Sequence, residues 1–266
     1  MSLRLFAVAA AACAMFAGAL PAHAQGKRHA PQYSEPVNGR IETGKAYILY
    51  RGPTTRLTLL RAPLEADREA YRAERAKALK DAQARANMVA RLKPLVITDA
   101  TLVHPPIEMR MRVELQPSDF LTGPDGEELL LVAVQPGNYT VYGAIGWGEF
   151  GFGGRCLCMG TVSFEARAGQ ITDMGRVLIV EPDDLPREGE PQFPGRRSMT
   201  IVPATAPVRM PAPFEDATVA PAEYRAADKI PNFLKIDIDR LTPMPGVLGY
   251  ERDKVIDLRA TGSAAN

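Results

Sequence analysis

The chain has 266 residues, 32 Lys and Arg against 31 Asp and Glu, and three cysteines. Removing residues 1–24 takes away one Arg and no acid, leaving 31 charges of each sign. That balance gives no electrostatic footprint for nucleic acid, and the length suits one large domain or one ordinary domain with appendages.

Met1 to Ala24 has the pattern of an export signal. Arg4 is the positive start, Leu5 to Leu20 the apolar stretch, and Ala22-His23-Ala24 an A-x-A cleavage site before Gln25. Pro21 ends the stretch short of a membrane span, and no later segment is long enough for one. Cleavage near Ala24 implies a periplasmic or secreted bacterial protein with no transmembrane segment in its mature chain. Lipidation at Cys13, behind Ala10-Ala11-Ala12, is the competing reading. Residues 25–39 are polar and rich in Gly, His, Pro and Ser, and read as a disordered lead-in.

Lys45 to Tyr50 and Leu57 to Arg61 read as strands joined at Arg51-Gly52-Pro53. From 65 to 92 the rhythm becomes helical: Ala-rich, charged, and free of Gly and Pro. Such a helix runs about 40 Å and would pack along a sheet edge or project from it. Its basic excess could serve an anionic surface or be a solvated face. Beyond it, Ile107, Met109, Met111, Val113 and Leu115 alternate with Glu108, Arg110, Arg112 and Glu114, as a half-buried antiparallel strand requires. Leu129 to Val134, Asn138 to Tyr142, Thr161 to Arg167 and Gly175 to Val180 continue the β block.

Prolines then recur at 182, 186, 191, 194, 203, 207, 211 and 213, with too little apolar content for a separate core. The fold class is mainly β. An antiparallel β-sandwich spans 40–180 with one long α-helix inserted at 65–92, and a Pro-rich C-terminal extension follows. In that extension 181–222 is a strap or linker, with Met199 to Val202 able to add one strand. Residues 223–266 dock on the sandwich or form a small lobe.

The run Val134-Gln135-Pro136-Gly137-Asn138-Tyr139, followed by Phe164, Ala168-Gly169 and Met174-Gly175, resembles a known signature. It is similar to the PG-x-Y … F-x-x-x-AG … G pattern of small bacterial exported β-sandwich domains, akin to transthyretin-like and carboxypeptidase-regulatory modules. The resemblance covers roughly residues 41–62 and 107–180, and the whole chain looks like a group of exported alphaproteobacterial proteins. It implies a fold and brings no catalytic residues.

Gly146-Trp147-Gly148-Glu149-Phe150-Gly151 is a literal G-x-G-x-x-G. A dinucleotide site needs a helix after those glycines, and here more glycines and a strand pattern follow. No cofactor is implied. What remains is a hairpin loop carrying Trp147, Phe150 and Phe152. Their rings could contact a partner, a glycan or a membrane surface, or fold back as a cap.

Cys156 and Cys158 are the cysteines left after export. A regular strand sets residues two apart at roughly 6.5–6.8 Å between Cα atoms, the outer limit for a disulfide. An intrachain bridge therefore needs a kink, for which Gly153-Gly154 is available. Bridges between chains, free thiols, redox work and metal binding remain open. His29 and His104 are the only histidines beyond the export signal, and His104 precedes Pro105-Pro106 as a loop residue or a ligand. Asp237 and Asp239 alternate onto one face, for a cation, for acid–base work or simply for solvent. The chain has no G-x-S-x-G, H-E-x-x-H or P-loop.

Three functions follow, in order of expectation. The first is a non-enzymatic envelope-associated binding or structural module that meets an unknown envelope protein or glycan through the loop of Trp147, Phe150 and Phe152 and through the Pro-rich strap. The second is a thiol-redox or metal-handling protein centred on Cys156 and Cys158. The third is a hydrolase with a site at the sandwich rim.

Overall fold

β-Branched and aromatic runs build strands here wherever proline and glycine leave the ladder intact. The structure is a computed structural model that describes residues 32–37, 39–52, 57–89, 96–115, 120–123, 126–148, 151–180 and 198–262. The expected export signal, Cys13, His29, Phe150, the expected helix end at 90–92 and the prolines of 181–197 lie outside the described residues.

In chain order the elements begin with β1 (Gln32–Tyr33), β2 (Ala46–Arg51), β3 (Leu57–Arg61), α1 (Glu65–Val89) and α2 (Ile107–Arg110). Next come β4 (Arg112–Leu115), β5 (Phe120–Thr122), β6 (Glu128–Val134), β7 (Gly137–Gly148) and β8 (Gly151–Cys156). β9 (Thr161–Ala166), β10 (Ile171–Val180), β11 (Ser198–Val202) and β12 (Val219–Pro221) follow. The chain closes with β13 (Arg225–Ala227), β14 (Asp237–Ile238), β15 (Leu248–Glu251), β16 (Lys254–Asp257) and α3 (Leu258–Gly262).

An eight-stranded sheet runs β1-β4-β3-β7-β8-β14, with β9 beside β7 and β13 beside β9. A six-stranded sheet runs β11-β10-β2-β6-β5, with β12 beside β10. The expectation of a purely antiparallel arrangement fails. β10 is parallel to β2 and to β12, β1 to β4, and β14 to β8. Parallel neighbours need a long crossover, and the whole course from β3 to β9 separates β2 from β10.

Alternation decides what each sheet buries. One cluster takes Ile48, Tyr50, Leu130 and Val132 from the smaller sheet with Leu57, Leu59, Val113, Leu115 and Val141 from the larger. The opposite face of the smaller sheet carries Tyr47, Leu49, Leu129, Leu131 and Ile171, covered by Met210 and Phe214. Part of the proline-rich segment is therefore a lid, and β11 adds a strand against β10. Around Phe214 that chain folds into successive turns, with Phe214 N–H on the Pro211 carbonyl at 2.9 Å and Ala217 N–H on the Phe214 carbonyl at 3.0 Å, and a few apolar side chains reach the sheet without a core of their own. The lead-in is also ordered from Gln32. Ser34 donates its N–H to the Glu114 carbonyl at 3.0 Å, and Glu35 bridges Ala133.

The alternating run from Ile107 divides. Its first four residues form the helical turn α2, closed by Met111 N–H bonds to Ile107 and Glu108 carbonyls, and only Arg112 to Leu115 is strand. Every residue of β4 is buried, Arg112 and Glu114 included, so the polar side is covered rather than solvated.

The helix α1 is held by polar contacts to the returning chain. Tyr71 donates its hydroxyl to the Pro105 carbonyl at 3.0 Å, Arg75 donates to Asp99 at 2.9 Å, and Gln83 donates to the Ile97 carbonyl at 2.9 Å. At its root the buried Arg61 donates to Asp67 at 2.9 Å. No helix among the described residues is long and apolar enough to cross a membrane.

Candidate functional site

β7 outlasts its neighbours. β3 follows it only as far as Ala144, and among the described residues Ile145 to Gly148 pair with β8 alone. The expected loop is thus a two-stranded ribbon. Trp147 stands opposite Phe152, Gly146 opposite Gly153, and Gly148 opposite Gly151 in the last described pair. Phe150, beyond that pair, lies outside the described residues. The glycine fingerprint sits on two strands, so it has no helix N-terminus to receive a pyrophosphate.

Gly143 is the last residue but one of β7 to pair with β3 before the ribbon leaves the sheet. There φ is +152°, and an added Cβ would lie 2.0 Å from the Arg155 carbonyl oxygen. Glycine is the residue that tolerates both the conformation and the approach.

β8 and β9 follow the same edge of β7 in succession. Gly143 pairs with Cys156 and Thr140 with Ser163, so the partner takes seven steps to β7's three. The excess is Leu157 to Gly160, a bulge in an otherwise continuous strand. Cys156 and Cys158 bracket its first residue, with a disulfide between them and their Cα atoms 5.1 Å apart. This lies inside the range of roughly 4.4–6.8 Å that disulfides span. The kink is therefore supplied by the bulge after Cys156 and not by Gly153-Gly154. Leu157 points into the shared core and donates its N–H to the Tyr142 carbonyl at 2.7 Å. The two cysteines face the other way and are 0% and 4% exposed.

An arch from Ile230 to Asp239 covers them. Ile230 N–H donates to the Cys158 carbonyl at 3.1 Å, and Asp239 N–H to the Cys156 carbonyl at 2.8 Å. Met159 N–H donates back to the Asp239 carbonyl at 3.0 Å. Between those anchors Ile230, Phe233, Leu234 and Ile236 pack on Leu60, Tyr142, Ile145 and both cysteines. Phe233 stacks on Tyr142 with centroids 6.1 Å apart. Asn232 shapes the arch by accepting from Ile236 N–H and donating to the Ile236 carbonyl. Burial raises the Tyr142 phenol's pKa, opposed by the N–H groups of Leu234 and Phe233 and by Arg112.

The remaining candidates are separate. His104 packs on Tyr71 at 5.4 Å and lies 3.9 Å from Glu74, within the helical arm. Asp239 pairs with Arg155 at 3.1 Å beside the disulfide, while Asp237 is exposed on β14. A cavity of about 340 Å³ opens where β1, the start of β2 and the end of β6 meet, lined by Ser34, Lys45, Gln135 and Tyr139 among others. Asp173, fully buried, accepts two bonds from Arg51 and one from Gly175 N–H, each at 2.8 Å. Burial nevertheless pushes its carboxyl pKa up.

Sequence reasoning singled out the ribbon residues and the cysteines and expected 223–266 to dock on the sandwich, but it did not place 230–239 over the cysteines. The arch's signal was four apolar residues from Ile230 to Ile236, which mark a buried segment without saying which face it covers. Comparison with protein-family models, curated proteins and solved structures gives no match for the chain.

Proposed function

We propose that this chain is an exported β-sandwich that acts by contact in the bacterial envelope, with the β7–β8 ribbon as its contact element. The partner is an envelope protein or a glycan. The observation that carries this reading is the extension of β7 and β8 past β3, with Trp147 and Phe152 as cross-strand partners in it. Aromatic residues supply large contact area at low conformational cost, and they are enriched where proteins meet partners. The glycines around them let the ribbon twist and bring backbone close to whatever it meets. The export pattern of residues 1–24 supports a periplasmic or secreted location.

The cysteine and histidine observations favour this over the other two readings. A pair 0% and 4% exposed beneath an arch is poorly placed for repeated thiol exchange with substrates. His104 is engaged with Tyr71 and lies 3.9 Å from Glu74 in the arm.

Joint replacement of Trp147, Phe150 and Phe152 by Ser tests the ribbon. The variant should keep the parent's circular dichroism and lose its partners in pull-downs from native envelopes. An unchanged partner set from a folded variant would sink the contact reading.

A further inference from the structure

We infer that the Cys156–Cys158 disulfide is a redox clasp for the arch Ile230–Asp239, opened by a dithiol reductant. The inference is independent of the contact role of the ribbon.

Both ends of the arch hang on the bonded pair. The carbonyl of Cys158 receives Ile230 N–H at one end, and the carbonyl of Cys156 receives Asp239 N–H at the other. The bond holds the two Cα atoms at 5.1 Å. Without it, only the bulge keeps residues 156 and 158 closer than the roughly 6.5 Å of extended chain, and the two acceptors are free to separate. The bulge around the pair is held by a few backbone bonds: Leu157 is tied to Tyr142 and the core, Gly160 N–H closes on the Leu157 carbonyl at 3.3 Å, Met159 N–H donates to the Asp239 carbonyl at 3.0 Å, and β14 adds the pairs Asp237–Arg155 and Ile238–Cys156. Beside these, the disulfide is the link that joins residue 156 directly to residue 158. The apolar packing under the arch is also thin, since Phe233, Leu234 and Ile236 are all only half-buried.

The chemistry is ordinary thiol–disulfide exchange. A thiolate of the reductant attacks one sulfur, the S–S bond breaks, and the other cysteine leaves as a thiolate that takes a proton. The reductant's second thiol then resolves the mixed disulfide. Two protein thiols result, and the reductant closes its own disulfide, carrying away the oxidising equivalent. Because the sulfurs are covered, the arch must lift before attack, so reduction is slower than at an exposed pair. Once reduced, the arch stays loosened and uncovers Leu60, Tyr142 and Ile145 on the larger sheet.

The test is hydrogen exchange on the full-length protein before and after dithiothreitol, with alkylation and intact mass confirming that both cysteines are reduced. Reduction should accelerate exchange in 230–239 by about tenfold or more while β2 and β6 keep their protection. The paired substitution Cys156→Ser with Cys158→Ser should reproduce the reduced pattern. If that variant does not fold, reduction of the parent still decides. Unchanged protection of 230–239 in the fully reduced protein overturns the clasp. So does loss of protection in β2 and β6 in parallel, which would make the bond a global staple, and so does a native protein that dithiothreitol never reduces.

Discussion

The two sheets turn their outer faces to two different covers. The smaller sheet offers Tyr47, Leu49, Leu129 and Leu131, all apolar in packing, and a stretch bearing Met210 and Phe214 seals it by burial alone. The larger sheet offers a mixed face in which Thr58, Arg112 and Glu114 are buried beside Leu60 and Tyr142. Thr58 Oγ1 and Arg112 Nε make no hydrogen bond there. Its cover is a short arch, and it is held by backbone bonds around a disulfide. An apolar face recruits any segment with a few large apolar side chains, because the hydrophobic effect is non-directional. A face with buried polar groups gains less from burial, so its cover depends on directional pins.

That contrast predicts where substitutions act globally and where they act locally. Phe214 is 4% exposed, and Phe214→Ala should cost about 3–5 kcal/mol, read as a lower urea midpoint with an unchanged slope. A change confined to the 204–219 segment would show that this cover is not part of the cooperative unit.

The chain passes from one cover toward the other beside Asp173, whose carbonyl accepts Ala222 N–H at 2.8 Å. Arg51→Ala should cost about 3 kcal/mol at neutral pH by leaving Asp173 buried and without its cation. The folded protein binds the Asp173 proton more tightly than the unfolded chain, because burial raises the carboxyl. That contribution favours folding in acid and is lost as pH rises from the ordinary carboxylate range through the raised folded value. The variant should therefore recover stability relative to the parent as pH falls, and urea midpoints across pH 3 to 7 would check it. A deficit that grows in acid would contradict the assignment.

Phe233→Ala, under the arch, should cost only about 1 kcal/mol and should raise exchange in 230–239 alone. A large cooperative loss there would erase the distinction between the covers. Smallest of all, Arg75→Ala breaks the exposed pair with Asp99. It should leave the midpoint unchanged and raise exchange only in 96–106, because solvent screens such pairs.

Much of this architecture was legible in residue order. Short apolar and aromatic runs set off by Gly and Pro in KAYILY, LTLLR and Leu129 to Val134 marked β2, β3 and β6, since residue type and turn punctuation are local signals. Ala-rich sequence without Gly or Pro marked α1 for the same reason. The split of the run at Ile107 was hidden because alternation over four residues is compatible with a helical turn after Pro105-Pro106. Parallel pairing of β2 with β10 was hidden too, because partners far apart in sequence leave no local trace. At the ribbon, residue type singled out Trp147 and Phe152, but only the register shows that they oppose each other. At Cys156 and Cys158, spacing alone argued against a relaxed bridge, and the four-residue bulge that permits one depends on where β9 resumes pairing.

The most direct test of the contact role is photo-crosslinking in living cells, with a photoreactive phenylalanine analogue placed at Trp147 and, as a control, at the exposed Phe120 of β5. The ribbon role predicts a discrete adduct from position 147, with the same partner recovered from Phe152 and none from Phe120. Adducts of equal yield from Phe120, or none at position 147 in a folded and exported protein, would contradict it.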